Sequence, residues 1–289
     1  MKKNAGDFAL DTVIYLVLTL MALSTLLPFA NVLAKSVSAD WAVVTGKVGI
    51  LPVGFQIDTM AHVVRSSMFL GAFGVSALIT LTGTALAIVL TALTAYPLSK
   101  PELPGRKPFM LVFVFTMLFS GGLIPGYLLI KNLGLMNNLF ALILPGMLSV
   151  YNMLIIKNYY ESLPESLEES ARLDGASALT ILFRIILPLS TPVLATISLF
   201  YAVGFWNDYI GPMLYITKAS LKPLQLYLRD LVMMAANPNT QLSADQMMNL
   251  PAEGVRAATI IASTIPIVLV YPYLQKYFIK GILIGSVKG

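Results

Sequence analysis

The sequence predicts an all-α integral membrane protein with six transmembrane helices. Composition and the spacing of the charges carry that expectation. Of the 289 residues, 57% are apolar and 11% are charged, against about 25% charged in an ordinary soluble domain. So few polar side chains cannot cover so large an apolar content in water, and lipid is the solvent that can. The charges also leave six long gaps. A hydrocarbon core about 30 Å thick takes about 20 helical residues to cross, and each gap is long enough.

The first gap, from Asp11 to Lys35, gives a span at 12–34. Lys2 and Lys3 precede it, and Val32-Leu33-Ala34 loosely resembles a cleavage site. The run is nevertheless longer than the about 7–15 residues of a signal-peptide core, so a retained helix is expected. The gap from Arg65 to Lys100 gives a span at 70–98, and that from Lys107 to Lys131 gives 108–130. Lys131 to Lys157 gives 136–157, Arg184 to Asp208 gives 188–212, and Arg256 to Lys276 gives 257–277. Together they make one transmembrane domain over 1–289, with a long loop at 158–187 between spans four and five.

Six spans put both termini on one side of the membrane. That side holds Lys100, Arg106, Lys107, the 158–187 loop and the greater share of the 19 Lys and Arg. The positive-inside rule makes it cytoplasmic. The segments 35–69 and 213–256 are then external. There is no cysteine and a single histidine, His62. Disulfides, thiolate zinc sites, cysteine nucleophiles and multi-histidine metal sites are therefore excluded. No basic stripe of the nucleic-acid-binding kind is present. No Gly-x-x-x-x-Gly-Lys-Ser/Thr loop occurs either, so the chain cannot cradle ATP by that route. The spans carry no acidic or basic relay of the kind that ion-driven transporters use, with Asp208 alone near a membrane end.

The 158–187 loop is charged and helical in pattern. Ser166 with Glu169 reads as a capping box, and Glu165, Glu168 and Glu169 suit the positive end of a helix dipole. Gly175 reads as a left-handed C-cap. A second short helix is expected from Ala176, with Leu179, Leu182 and Phe183 at helical spacing, and Pro188 opens the next span. An amphipathic helix lying on lipid is the rival reading. Such helices usually carry Lys and Arg on the polar face, whereas this one is mainly acidic.

These residues resemble the signature of bacterial ATP-binding-cassette import permeases: Glu-Ala-Ala, three residues, Gly, nine residues, Ile, one residue, Leu-Pro. Here Glu169-Ser170-Ala171 is followed at the same spacings by Gly175, Ile185, Leu187 and Pro188, and Ser170 for alanine is the one departure. The resemblance implies a type I importer permease fold in which Glu168, Glu169, Ser170, Ala171, Arg172, Leu173, Asp174 and Gly175 form the coupling helix. That helix docks on a cytoplasmic ATPase. Leu187-Pro-Leu-Ser-Thr-Pro192 and Phe205-Trp-Asn-Asp-Tyr209 are similar to the maltose-type, sugar-importing branch, as are Gln275–Gly281 and Gly285–Gly289. Phe119-Ser-Gly-Gly-Leu-Ile-Pro125 and Tyr151-Asn152 are similar to permeases for complex oligosaccharides.

The resemblance further implies a paralogous second permease, two ATPase subunits that hold the ATP and Mg2+, and an external or periplasmic sugar-binding protein. It implies a multi-pass location in the bacterial cytoplasmic membrane, with no cofactor on this chain. A same-family permease for a non-sugar solute is the main alternative.

Sugars are held by aromatic faces and hydrogen-bonding side chains, which selects Tyr151, Asn152, Trp206, Asn207, Asp208, Tyr209, Ser120 and Gly121 as pathway candidates. Each has a rival reading. Trp206 and Tyr209 suit an interfacial belt, while Asn207, Asp208, Tyr151 and Asn152 suit helix–helix contacts. Ser120, Gly121 and Gly122 suit close helix packing or a broken helix end. Gly71 and Gly74 suit packing. The cations Lys218, Lys222, Arg229 and Arg256 suit an acidic oligosaccharide or an acidic binding protein.

Overall fold

The computed structural model describes residues 5–236 and 253–269. Among them the secondary structure is entirely helical. In chain order the helices are α1 (Ala5–Ser36), α2 (Asp40–Val44), α3 (Asp58–Arg65), α4 (Ser67–Leu98), α5 (Arg106–Leu118) and α6 (Leu123–Asn132). Then come α7 (Phe140–Ile143), α8 (Val150–Glu161), α9 (Glu165–Leu173), α10 (Ala178–Ile181), α11 (Leu187–Leu189), α12 (Thr191–Asn207), α13 (Ile210–Tyr215) and α14 (Leu224–Ala236). A helix over 253–269 ends the described residues. Span six, expected at 257–277, runs beyond them. The C-terminal segments similar to sugar permeases lie outside them.

Two single helices are long and apolar enough to cross a membrane, Leu10–Ser36 and Ser67–Leu98, with mean hydropathies of 2.2 and 2.1. Three bent pairs raise the number to five. Spans three, four and five are then each broken, the first at the Ser120-Gly121-Gly122 turn where a broken helix end was one of the two expectations. Α bend of 110° separates α5 from α6, and one of 48° separates the α7 arm from α8. The third, of 82°, separates the 178–189 arm from α12.

The breaks have local causes. Between α5 and α6, Gly122 adopts φ +88°, a conformation closed to most L-residues. Before α12, Pro192 has no N–H to offer the carbonyl of Pro188, and the Thr191 hydroxyl donates to that oxygen instead, at 2.7 Å. The expected opening of span five at Pro188 is thereby corrected. Pro188 continues the arm that starts at α10, through a π turn at Leu182–Ile186, and α12 opens at Thr191.

The chain forms two compact units, one of Met1–Leu70 with Leu228–Pro266 and the other of Gly71–Tyr227 with Ile267–Gly289. In the first, Ala34, Ala42, Val43 and Val48 make a small core. Lys35 pairs there with Glu253 at 2.6 Å.

In the second unit, α4, α8 and α12 pack around Ala87, Ala95, Met153, Ile156, Ile197 and Tyr201. The alanines let backbones approach closely. The ring of Phe205 sits where a side chain on Gly83 or Gly146 would be, 2.9 and 3.1 Å from the ideal Cβ positions. Gly71 and Gly74, expected to serve packing, have nothing within 4 Å of such a position.

A buried polar relay crosses this core. The Ser149 N–H donates to the Tyr201 hydroxyl at 2.9 Å, and that hydroxyl lies 2.7 Å from Thr91 Oγ1. The Thr91 hydroxyl donates onward to the Ala87 carbonyl at 2.6 Å, so Tyr201 is the donor to Thr91. One phenol therefore joins three helices. Tyr201→Phe should remove the hydroxyl shared by Thr91 and the half-buried Ser149 N–H and cost about 0.5–1.5 kcal/mol. A lowered midpoint of thermal unfolding in mild detergent checks this, with Phe200→Tyr, on the neighbouring residue, as a control expected to change little.

Candidate functional site

Two constructions in the second unit bear on function, one at the 158–187 loop and one at a cavity between the broken helices.

The loop helix α9 starts after Pro164, which holds the N-cap position without a side-chain hydrogen bond. Ser166 therefore lies inside the first turn rather than at the cap, correcting the expected capping box. The Ser166 carbonyl accepts from the Ser170 hydroxyl at 2.8 Å. The C-terminal end follows the sequence reading. Gly175 has φ +80°, its N–H donates to the Arg172 carbonyl at 3.0 Å, and the Ala176 N–H donates to the Ala171 carbonyl at 2.9 Å. This pair is a Schellman motif, and it satisfies carbonyls that the ending helix leaves open. The second helix begins at Ala178 rather than Ala176, capped by the Ser177 hydroxyl on the Thr180 N–H.

The two faces of α9 differ. Ala171 and Glu168 are buried, and Ala171 belongs to the core. The Glu168 carboxylate pairs with Lys100, lies 3.8 Å from Arg172, and is 3.5 Å from the Tyr96 hydroxyl. Lys100 also sits 5.0 Å over the Tyr96 ring. Glu169, Ser170, Arg172, Leu173, Asp174 and Gly175 are exposed, Leu173 by 90%.

A second ionic cluster stands beside the first. Glu161 pairs with Arg106 and with Lys157, the latter at 2.8 Å, and Arg106 Nε donates to the Leu98 carbonyl at 2.9 Å. The two clusters clamp the adjoining ends of α4, α5, α8 and α9. The Lys100–Glu168 and Arg106–Glu161 pairs were not visible in the loop motif, because their partners are 68 and 55 positions apart.

The cavity has a volume of about 810 Å³, within the range of small-molecule sites. Ser120, Tyr151, Asn152 and Asp208 line it, together with Gly122, Ser149, Phe200, Tyr201, Phe205, Gly211 and Tyr215. The other four candidates lie off its wall. Gly121 is one residue from Gly122 in the α5–α6 break. Trp206 packs edge-on against Phe73 at 5.7 Å, and its indole N–H is buried without a hydrogen-bond partner. The Asn207 amide donates to the Val203 carbonyl at 3.0 Å. Tyr209 is exposed.

Among the described residues Asp208 is the single charged residue of the wall, and it also builds the wall. Its Oδ1 accepts from the N–H groups of Ile210 and Gly211 at 3.1 and 3.2 Å, starting α13 directly after α12 ends. A Cβ on Gly211 would lie 2.6 Å from Asp208 Oδ2, so a side chain there would push the carboxylate aside.

Tyr215 closes the far end of α13 and stacks with Tyr127 at 6.4 Å. Its carbonyl accepts from the Asn137 N–H at 2.9 Å. Asn137 has φ +58°, and its Oδ1 accepts from the N–H groups of Thr217 and Lys218 at 2.7 and 2.9 Å. No sequence signal had marked Tyr215, Tyr201 or Asn137. Among the described residues no cluster of three or more metal-ligating side chains occurs.

The family model described as "Binding-protein-dependent transport system inner membrane component" matches residues 104–284, which contain both constructions apart from the α4 contributions. The polygalacturonan/rhamnogalacturonan transport system permease protein YtcP of Bacillus subtilis (strain 168) is 43% identical over 280 residues, covering 96% of this chain and 98% of that protein. Protein LplC of the same organism is 44% identical over 267 residues, covering 92% and 90%. A solved bacterial ABC transporter involved in the import of the acidic polysaccharide alginate contains a chain of similar fold. The two align with a TM-score of 0.89 and 32% identity, over 96% of this chain and 99% of that one.

Opposite charges at Lys100 and Glu168 hold α9 against the end of α4. Lys100→Glu and Glu168→Lys should each destabilise the protein by about 1–3 kcal/mol, a figure reduced from that of a fully buried pair because both groups retain some solvent. The double exchange should recover part of the loss, as read from thermal unfolding of all four proteins.

Proposed function

This chain belongs to the binding-protein-dependent transport system inner membrane component family, and from that membership we propose that it carries oligosaccharides rich in uronic acid across the membrane by alternating access. It is a permease subunit of a sugar ABC importer and not an enzyme. The observation that carries the substrate class is the pair of similarities to YtcP and to the alginate importer, both named for acidic polysaccharides.

In this reading residues 1–289 form one transmembrane domain of six spans with both termini cytoplasmic. A second, paralogous permease completes the pathway. Two ATPase subunits bind the ATP and Mg2+, and an external binding protein delivers the sugar. The exposed Glu169, Arg172, Leu173 and Asp174 contact the ATPase, with Ser170 and Gly175 beside them. Glu168 and Ala171, on the buried face, hold the helix to the membrane domain instead.

Ser120, Tyr151, Asn152 and Asp208 face the substrate, with Tyr215 added as an aromatic surface for a sugar ring. Gly121, Trp206, Asn207 and Tyr209 support the wall from behind or at its rim. Among the described residues the wall's one charge is negative and already accepts from two backbone N–H groups. Selection for a uronate carboxylate therefore falls to the second permease and the binding protein, while this chain supplies hydroxyl, amide and aromatic contacts.

Glu169→Lys should leave the chain in the membrane but abolish co-purification of the ATPase and lower uptake by about tenfold or more. Gly175→Val should do the same through backbone strain at φ +80°, since no neighbour obstructs a side chain there. Gly175→Asn, tolerant of that conformation, should retain activity. Normal uptake in both the Glu169→Lys and Gly175→Val proteins would remove α9 from the coupling role.

Uptake of labelled oligogalacturonates should exceed that of neutral maltooligosaccharides by about tenfold in proteoliposomes holding the complete transporter. Preference for the neutral chains would overturn the acidic-substrate assignment and leave the permease assignment intact.

A further inference from the structure

The segment that follows α1 is folded inside out. From Trp41 to Ile57 it carries one charge, Lys47. Its interior consists of the small residues Ala42, Val43 and Val48 against Ala34. Its large apolar side chains point outward: Trp41 is 55% exposed, Leu51 77% and Phe55 72%, and Val44, Ile50 and Ile57 are exposed as well. A loop made for water would reverse that order, since an exposed apolar patch of this kind marks an interaction surface.

Part of the backbone of this segment is paired internally. The Ala39 N–H donates to the Val53 carbonyl at 3.0 Å, and the Gln56 N–H donates to the Val37 carbonyl at 2.9 Å. The Asn31 amide on α1 donates to the carbonyls of Val48 and Gly49 at 3.2 and 2.7 Å, and the Val53 N–H donates to the Ser38 hydroxyl at 3.0 Å. Of the two carboxylates that flank the segment, Asp40 accepts from Gln56 and Thr59, each at 3.2 Å, and Asp58 is exposed at the start of α3. Such pairing lowers the cost of placing a non-helical segment against lipid, which is unsatisfied peptide groups, and confines the segment to the headgroup level, where water can serve the peptide groups left open.

Depth follows from α1. The apolar run Leu10–Ser36 has 27 residues, or about 40 Å at about 1.5 Å per residue, against a hydrocarbon core of about 30 Å. Centred on the core, the run overhangs it at both ends, which brings Asn31 and Lys35 to the headgroup region, and the segment bonded to Asn31 and Ser38 is held at that level. Trp41 with Lys47 5.6 Å over its ring is the pairing suited to this zone: an amphipathic aromatic at the boundary and a cation reaching outward to phosphate.

We infer that residues 41–57 form a rigid interfacial anchor that seats Trp41, Ile50, Leu51 and Phe55 in the lipid leaflet at the C-terminal end of α1. This rests on α1 crossing the membrane and is independent of the substrate. The partner is the bilayer surface, with anionic or zwitterionic phosphate as the polar contact for Lys47.

The absence of cysteine from the sequence permits a direct test. Single cysteines at Leu51 and Phe55 are spin-labelled in the complete transporter in nanodiscs, with any thiol of the other subunits replaced by serine. Collision rates with lipid-soluble oxygen and with a water-soluble nickel chelate are compared, using lipids labelled at known depths as the scale. Both sites should collide with oxygen several-fold more often than with nickel, report a depth just inside the headgroups, and be unchanged by added binding protein. Preferential nickel collision, protection from both agents, or protection on adding the binding protein would each overturn the anchor. The first would assign the surface to water and the other two to a protein partner.

Discussion

In a bilayer every break in a helix exposes peptide groups to a medium that offers them no water. A membrane protein can therefore open a cavity among its helices only where side chains take over the freed hydrogen bonds. This chain does so repeatedly. Thr191 serves the carbonyl that Pro192 cannot, Asp208 serves the amides that start α13, and Ser149 and Tyr201 serve the start of α8. Asn137 gathers the backbone beyond Tyr215. The cavity is built on these substitutions, which explains why several of the residues that line it are also the residues that close the breaks.

The same constraint explains the placement of charge. Within the described helical breaks, Asp208 is the one charged residue on the cavity wall, and its carboxylate is held by two N–H groups. The strong ion pairs stand instead at the ends of α4, α5, α8 and α9, where water can share in solvating them. Glu168 and Glu161 each meet two cations there. Pairs of this kind add little net stability relative to apolar packing, but breaking one leaves a costly lone charge. They are consequently better suited to fixing where α9 sits than to holding the fold together.

Legibility in the sequence followed the range of the interaction. The spans were readable because a gap in charge is a local property, and the Gly175 terminus was readable because a Schellman motif involves only neighbouring residues. The bends were less so, since hydropathy is blind to φ: the glycines at 121 and 122 allowed either close packing or a break, and nothing marked the bends before α8 and α12. The Lys100–Glu168 and Thr91–Tyr201 contacts join residues 68 and 110 positions apart, with no motif to announce them. Among the cavity candidates, Asp208, Tyr151, Asn152 and Ser120 were found because polar residues in apolar runs call for explanation. Trp206 and Tyr209 were drawn in by the same criterion although their side chains lie off the wall.

The two constructions are joined mechanically through α8 and α12. The C-terminal end of α8 carries Lys157 and Glu161 in the ionic clamp, while its N-terminal end carries Tyr151 and Asn152 on the cavity wall. Between them Met153 and Ile156 are completely buried against α4 and α12. A core packed to that density does not compress, so a displacement of α9 reaches α8 as a rigid shift rather than a local loosening. Tyr201 then fixes the N-terminal end of α8 to α12 and α4 through one hydroxyl. A push on the exposed face of α9 would accordingly move the cavity wall as a unit. That is the mechanical property an ATP-driven permease needs when the ATP is bound on a different polypeptide.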